Sequence, residues 1–113
     1  MFESKNRLRK QMEVQRVVKT GKSVFDPVCG IRFLRNGLLD SRFTVVVGTK
    51  VSKKAVRRNR VKRQYREIIR LNFESIKTGF DIVLFASPQS LELTYAQKEE
   101  RMMVVLKKAG LWL

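Results

Sequence analysis

Histidine is absent from this chain of 113 residues, and cysteine occurs once, at Cys29. Without histidine, the sequence has no Ser-His-Asp or Cys-His catalytic group and no histidine-based zinc site. A lone cysteine cannot form a disulfide within the chain, which fits a reducing compartment, and we expect Cys29 to be a small buried residue. No apolar run approaches the roughly 20 residues of a membrane span, and no signal-peptide core follows the N-terminus. Neither a membrane partner nor secretion is therefore expected.

Acidic residues are also scarce, because ten Asp and Glu accompany 25 Lys and Arg, for a formal charge of +15. The excess is concentrated in residues 50–70, which hold ten bases and one acid, Glu67, whereas residues 71–113 hold five of each. Hydrophobic residues make up 43% of the chain, as in ordinary globular proteins, so this length predicts one domain over residues 1–113. The charge predicts a polyanionic partner.

Hydrophobic spacing predicts three helices. Residues 11–20 repeat apolar side chains at near-helical spacing before Gly21, a residue suited to ending a helix in the left-handed conformation. A long helix is predicted from an N-cap at Ser52 to about Ile76, because neither proline nor glycine interrupts that stretch. Thr94 and Gln97 form a capping box that predicts the start of a third helix, and Gly110 predicts its end.

Short β-branched runs predict the strands. Residues 28–34 and 42–48 flank the turn signal Asn36-Gly37, and we interpret them as a hairpin with a loop of about six residues. Residues 80–86 (FDIVLFA) form the clearest strand, and Val24-Phe25 indicates a further short one. Without that weak strand the order is α-β-β-α-β-α, an α+β class with helices packed on a small sheet. We expect Met102 and Met103 to fill its core.

The long basic helix has two distinct faces when its residues are placed at 100° intervals. Six residues form a stripe that we expect to pack on the sheet: Val61, Tyr65, Ile68, Ile69, Asn72 and Ile76. The opposite face carries polar residues: Asn59, Arg63, Arg66 and Arg70. Ordinary solvated faces interleave acids with bases, so this bias favours nucleic-acid binding over a solvated face or an acidic membrane surface. Structured RNA fits better than DNA, because the helix has few base-reading side chains and no dimerisation heptad.

Residues 55–63 (AVRRNRVKR), continued by Arg66-Glu67, resemble the "RNR" signature of the protein component of bacterial ribonuclease P. The basic lead-in loop of residues 50–54 and the strands on either side are similar to that family as well, so the resemblance covers essentially the whole chain. It implies the order α-β-β-β-α-β-α, an α-β sandwich on a small mixed sheet with a left-handed βαβ connection. It also implies no catalytic residue here, because in this family an RNA subunit cleaves precursor tRNA using Mg²⁺ held mainly by the RNA and substrate.

The resemblance further implies a cytoplasmic protein that binds the catalytic RNA and the 5′ leader of precursor tRNA. It promotes Mg²⁺-dependent endonucleolytic 5′ maturation of tRNA, without an obligate protein partner. Matching the signature, its basic continuation and the lead-in loop assigns RNA contacts to eleven residues: Lys50, Lys53, Lys54, Arg57, Arg58, Asn59, Arg60, Lys62, Arg63, Arg66 and Arg70.

The leader cleft implied by the resemblance lies between the first helix and the sheet, where the family has aromatic side chains. Here Val14 and Val18 stand at the helix positions where phenylalanine is typical. Valine lacks the flat face on which a base stacks, an interaction of ~1–3 kcal/mol per base. Phe33 and Phe43 are the remaining cleft candidates, although strand phenylalanines belong to the core more often than to a binding cleft.

Two other functions share some of these features. A ribosomal or other structural-RNA-binding protein has a similar size and charge. A nuclease acting alone is disfavoured by the absence of histidine. Four acids are interpreted as scattered surface carboxylates, with no metal site: Asp81, Glu92, Glu99 and Glu100.

Overall fold

A four-stranded mixed sheet with helices on both faces organises residues 4–113, the part of the chain that this computed structural model describes. The elements, in chain order, are α1 (Gln11–Thr20), β1 (Lys22–Phe25), β2 (Cys29–Arg35), β3 (Arg42–Val46), α2 (Ala55–Leu71), β4 (Phe80–Ala86) and α3 (Tyr95–Lys108). This is the order α-β-β-β-α-β-α that the resemblance implies, and β1 is the strand that hydrophobic spacing indicated only weakly. No helix within residues 4–113 has both the length and the apolar character needed to cross a membrane.

β4 lies inside the sheet, between β2 and β3, in the strand order β1-β2-β4-β3. It pairs antiparallel with β2 and parallel with β3, so Leu34 and Arg42 both lie beside Asp81. The predicted hairpin of residues 28–34 with residues 42–48 is therefore wrong, although both strands exist. The reason is burial: β4 is an apolar run covered on both faces, which is the character of an interior strand. The hairpin is instead formed by β1 and β2, and the hand of the β3–α2–β4 connection stays a prediction.

α2 is shorter than predicted at both ends. It begins at Ala55, preceded by Lys54 in an extended N-cap conformation without a side-chain cap. Ser52, the predicted cap, instead accepts a hydrogen bond of 3.2 Å from the backbone N–H of Lys54, which stabilises a turn before the helix. At the other end, the Asn72 side-chain amide donates to a backbone carbonyl one turn earlier at 2.8 Å, and a 3₁₀ turn follows. Ile76 is buried as expected but lies beyond the helix.

Gly21 ends α1, but its φ of −73° is not the predicted left-handed conformation. Glycine is required there by close approach, since a Cβ would lie 2.5 and 2.8 Å from two backbone carbonyl oxygens. α1 can thus turn directly into β1 while it stays packed on β2. The prediction for α3 is confirmed, because Thr94 and Gln97 form a capping box and Gly110 follows with φ +75°.

The larger core lies between the sheet and the helices α2 and α3. Side chains alternate along each strand, so Ile31, Ile82 and Leu84 enter this core together. The members of the predicted stripe that lie within α2 are all buried, which confirms its phase: Val61, Tyr65, Ile68 and Ile69. Met102 is buried as predicted, whereas Met103 is half-buried.

Cys29 is buried in the same core, as predicted. Burial raises the pKa of its thiol to about 12, so this cysteine stays neutral and unreactive. Beside it, the hydroxyl groups of Tyr65 and Ser90 lie 2.8 Å apart, and Ser90 donates to the Val28 carbonyl at 2.6 Å. The Tyr65 hydroxyl is therefore the donor to Ser90, and the buried polar atoms of this group are satisfied.

Candidate nucleic-acid interface

The face of α2 that points away from the sheet is basic and exposed. Of the residues predicted to bind RNA, all are exposed except Arg58 and Lys62, which are half-buried. Within residues 4–113, Arg70 is the one member of this set that lies within ion-pair distance of a carboxylate. Like charges one helical turn apart repel by a few tenths of a kcal/mol per pair, and a bound polyanion would relieve this repulsion.

Two members of the predicted set have partners inside the protein. Arg70 donates to Glu67 one turn earlier on α2, and the contact lowers the pKa of Glu67 and raises that of Arg70. Arg58 donates to the backbone carbonyls of Ser52 and Lys53, at 3.0 Å in both cases. The charge of Arg70 is thus partly neutralised, and Arg58 fastens the lead-in loop to the first turn of α2.

The lead-in loop presents Lys50, Lys53 and Lys54 to solvent beside the start of α2. Its anchor is Val51, which is buried and whose N–H donates to the Gly48 carbonyl at 3.1 Å. This turn and the contacts of Arg58 fix the backbone, so the three lysines extend the basic face of α2 from an ordered loop.

A second surface, the groove, lies where α1 crosses the opposite face of the sheet. α1 buries Val17 against Leu8 and Val83, which form a second, smaller apolar cluster. Val14 and Val18 are half-buried and pack against this cluster. Both valines therefore lie between α1 and the sheet as aliphatic side chains, and their contact with a leader stays a prediction.

Two arginines of the sheet hold α1 in place. Near the start of α1, Arg42 of β3 donates to Asp81 at 2.8 and 2.7 Å and to Glu13 of α1 at 2.9 Å. Near its end, Arg32 of β2 donates to the Val18 carbonyl at 2.7 Å. Asp81 is buried because it accepts these bonds, so its prediction as a surface carboxylate is wrong. The two arginines fix the position of α1 against the sheet.

Phe33 and Phe43, the predicted aromatic candidates for the leader cleft, do not face the groove. Both belong to the core on the α2 and α3 side, where Phe33 contacts Phe80 edge-on at 6.2 Å and Phe43 contacts Phe73 at 5.6 Å between ring centroids. Their assignment to the cleft is wrong, because strand alternation points them to the opposite face of the sheet from α1.

Among the described residues, Phe25 and Phe85 are aromatic side chains on the groove side, and sequence reasoning missed both. The Phe25 ring lies across Gly30 of the neighbouring strand, where a Cβ would come within 2.0 Å of it. The Arg32 guanidinium lies 5.8 Å from the ring centroid, and Phe25 remains 55% exposed. Phe85 pairs with Gly30 from the other side and packs against the groove cluster. The alternation of side chains along residues 80–86 (FDIVLFA) could have predicted that Phe85 faces the side of the sheet opposite to Ile82 and Leu84.

The sequence profile of the family Ribonuclease P matches residues 2–110. The ribonuclease P protein component of Alkaliphilus oremlandii is 37% identical over 106 residues, which cover 94% of this chain and 92% of that protein. The chain belongs to the ribonuclease P protein family. The component from Pelotomaculum thermopropionicum is 39% identical over 102 residues, which cover 90% of each chain.

Solved ribonuclease P proteins share the fold. The Staphylococcus aureus protein superposes with a TM-score of 0.87 at 28% identity and covers 96% of this chain and 98% of its own. The Thermotoga maritima protein superposes with a TM-score of 0.83 at 34% identity and covers 90% of this chain and 96% of its own. The predicted α+β class with a small mixed sheet is confirmed.

Membership in the ribonuclease P family establishes the role of the chain at the level of the assembly. It is the protein subunit of the endoribonuclease that processes tRNA, and it acts with the ribonuclease P RNA. Within residues 4–113, no three His, Cys, Asp or Glu side chains come together as a metal site. Individual carboxylates instead accept hydrogen bonds inside the protein, as Glu99 does from Asn72 at 3.0 Å.

Proposed function

We propose that this subunit binds the ribonuclease P RNA through the basic face of α2 and the lead-in loop. The observation that carries the proposal is a row of exposed bases without carboxylate partners in the described chain: Arg57, Arg60, Arg63 and Arg66. Each guanidinium group can donate two parallel hydrogen bonds to a pair of phosphate oxygens. Because the opposite side of α2 is packed in the core, the helix holds these guanidinium groups at fixed spacing. Such a surface reads the shape and phosphate arrangement of a structured RNA rather than its base sequence.

The same proposal assigns the 5′ leader of precursor tRNA to the groove. A single strand binds through base stacking on aromatic rings combined with positive charge along its backbone. Phe25 offers an exposed ring for stacking, and Arg32 beside it offers a charge for the adjoining phosphate. Val14 and Val18 supply an apolar wall on the side of α1. Phe25 and Phe85 thus take the role that aromatic residues on the first helix have elsewhere in the family.

We assign the Mg²⁺ ions of the reaction mainly to the RNA subunit and the substrate. Such ions stabilise the charge that develops when a phosphodiester is cleaved. The bases of α2 neutralise phosphates and the groove holds the leader, so the RNA–substrate complex forms at a lower Mg²⁺ concentration. The proposal places the protein in the cytoplasm, with precursor tRNA, and requires no second protein.

Reconstitution tests this function. We expect the protein, mixed with the ribonuclease P RNA of its own genome, to raise the rate of 5′ cleavage of precursor tRNA at limiting Mg²⁺. A variant carrying Arg60→Ala and Arg63→Ala should give less stimulation, and Lys108→Ala on α3, a charge outside the proposed interface, should stimulate as the parent does. No stimulation by the parent protein would overturn the proposal. Co-purification with ribosomal subunits instead of the catalytic RNA would favour a structural-RNA-binding role.

A further inference from the structure

The segment before α1 runs along the outer edge of β3. Arg7 forms a parallel β-bridge with Phe43, and the N–H of Leu8 donates to the Phe43 carbonyl at 2.9 Å. Leu8 is 3% exposed and belongs to the apolar cluster under α1. Because side chains alternate along an extended segment, Arg7 and Arg9 lie on the other side of it from Leu8.

Arg7 and Arg9 meet Arg66 of α2 at an open cavity of about 350 Å³. Leu8 and residues 43–45 at the edge of β3 also line it, so none of the described residues around this cavity is acidic. Three arginines from two separate segments therefore line one cavity, and no carboxylate of the described residues lies within ion-pair distance of them.

We propose that this cavity binds one phosphodiester group of an RNA backbone, shared by Arg7, Arg9 and Arg66. The inference rests on the proposed function and deepens it, because it extends the RNA-binding surface from α2 around the sheet edge onto the N-terminal segment. Guanidinium forks approaching from two sides match the several oxygens of a phosphate, and the cavity has room for the attached ribose. Convergent positive charges repel one another when the site is empty, and a phosphate turns that repulsion into attraction.

The phosphate has two possible sources, the catalytic RNA and precursor tRNA. Arg66 lies on the face proposed to contact the catalytic RNA, whereas Arg9 lies two residues before α1, which borders the groove. Two binding measurements separate the sources. The first is the affinity of the protein for the catalytic RNA alone, and the second is the affinity of the assembled holoenzyme for precursor tRNA.

The test compares Arg7→Gln, Arg9→Gln and Arg66→Gln, alone and combined, as a function of salt. Each single variant should bind one of the two RNAs roughly tenfold more weakly, as for a lost hydrogen bond to a charged group. The combined variant should lower the slope of log affinity against log salt by roughly one, because only one phosphate is lost. Lys108→Gln serves as the charge-matched control. A double variant that carries Arg7→Lys and Arg9→Lys keeps the positive charge. It tests whether lost packing, rather than lost phosphate binding, explains a weaker affinity for RNA.

The outcomes separate this inference from the proposed function. A slope change of roughly two to three for the combined variant would mean separate phosphates and would overturn the shared site. Unchanged affinity for both RNAs, with weaker binding by Arg60→Gln on α2, would overturn the cavity and leave the proposed function standing. Unchanged affinity for Arg60→Gln as well would overturn the proposed function itself. A loss confined to one RNA supports the site and identifies the source of the phosphate.

Discussion

At the scale of single residues, arginine has two roles that can be told apart by what each guanidinium contacts. Arg42 and Arg101 pair with carboxylates that are distant in the sequence and so hold the fold together. Arg60 and Arg63 are exposed on α2 and have no carboxylate within ion-pair distance in residues 4–113. Replacing the first kind should change stability, and replacing the second kind should change RNA binding.

Arg60→Ala and Arg63→Ala should therefore weaken binding to the catalytic RNA while leaving the melting temperature nearly unchanged. Arg42→Ala is the contrasting variant, because it leaves the buried Asp81 carboxylate without its main partner. Removing one partner of such a pair costs about 3 kcal/mol and should lower the melting temperature by on the order of 10 °C. Thermal unfolding and an RNA-binding assay on the same samples check both. A large loss of stability in Arg60→Ala or Arg63→Ala would contradict the phase of α2 described above.

Asp26 gives the fold a dependence on pH. Its carboxylate accepts hydrogen bonds from Arg101 and from the backbone N–H of Val28, and the contact with Arg101 lowers the pKa of Asp26 below its ordinary 3.8. Since the folded-state pKa is the lower one, the stabilisation is complete above about pH 5 and is lost as the pH falls through the folded pKa. Asp26→Asn should be less stable than the parent at pH 7, and this difference should shrink towards pH 3.

Thermal unfolding between pH 7 and pH 3 measures that difference. Glu92→Gln, at an exposed carboxylate, is the matched control and should follow the parent across the range. If the stability difference between Asp26→Asn and the parent did not change with pH, the charge of Asp26 would contribute nothing to the stability of the fold.

At the scale of the elements, the position of Phe25 beside the groove leads to a prediction about leader binding. Phe25→Leu keeps an apolar side chain but removes the flat ring, so leader binding should weaken by ~1–3 kcal/mol. The measurement is holoenzyme affinity for precursor tRNA with and without its leader, and the loss should appear only with the leader. Leu39→Ala, at an exposed apolar residue in the β2–β3 loop, controls for a general loss of apolar surface. Equal losses on both substrates would place the stacking base elsewhere.

Local pattern was enough to predict most of the elements, although it indicated β1 only weakly and placed the ends of α2 too far out. The phase of α2 follows from its own spacing, since Val61, Tyr65 and Ile68 recur at helical intervals and no other helix is needed to decide which side is apolar. The strand at residues 80–86 and the cap at Thr94 are local signals of the same kind, and the structure contains both. The part of the candidate site that lies on α2 was predictable for this reason.

The relations between elements could not be read from local pattern. Alternation predicts that Phe33 and Leu34 face opposite sides of the sheet, but which side receives α1 depends on the path of the whole chain. The pairing of β4 with both β2 and β3 is equally non-local, and so the expected hairpin was wrong. Arg7 and Arg9 were not included among the predicted RNA-binding residues, because only the bridge to β3 brings them to the same cavity as Arg66.

At the scale of the whole molecule, charge and scaffold are separated along the chain. Residues 71–113 hold five bases and five acids, and they supply β4 inside the sheet and α3 against its core face. The surplus charge lies before them, on α2, the lead-in loop and the segment ahead of α1. In the proposed function a polyanion binds the basic part of the chain, whereas the neutral part supplies the interior strand and a core helix.

This separation predicts the salt dependence of binding to the catalytic RNA. Arg58 and Arg70 have internal partners, and the remaining bases of α2 and the lead-in loop are available to neutralise phosphates. If these eight bases neutralise about six to eight phosphates, log affinity should fall against log salt with a slope of roughly −4 to −7. Lys108→Gln should leave the slope unchanged, whereas Arg60→Gln should make it shallower by roughly one unit. A parent slope shallower than about −2 would mean that most of this face stays in solvent when the RNA is bound.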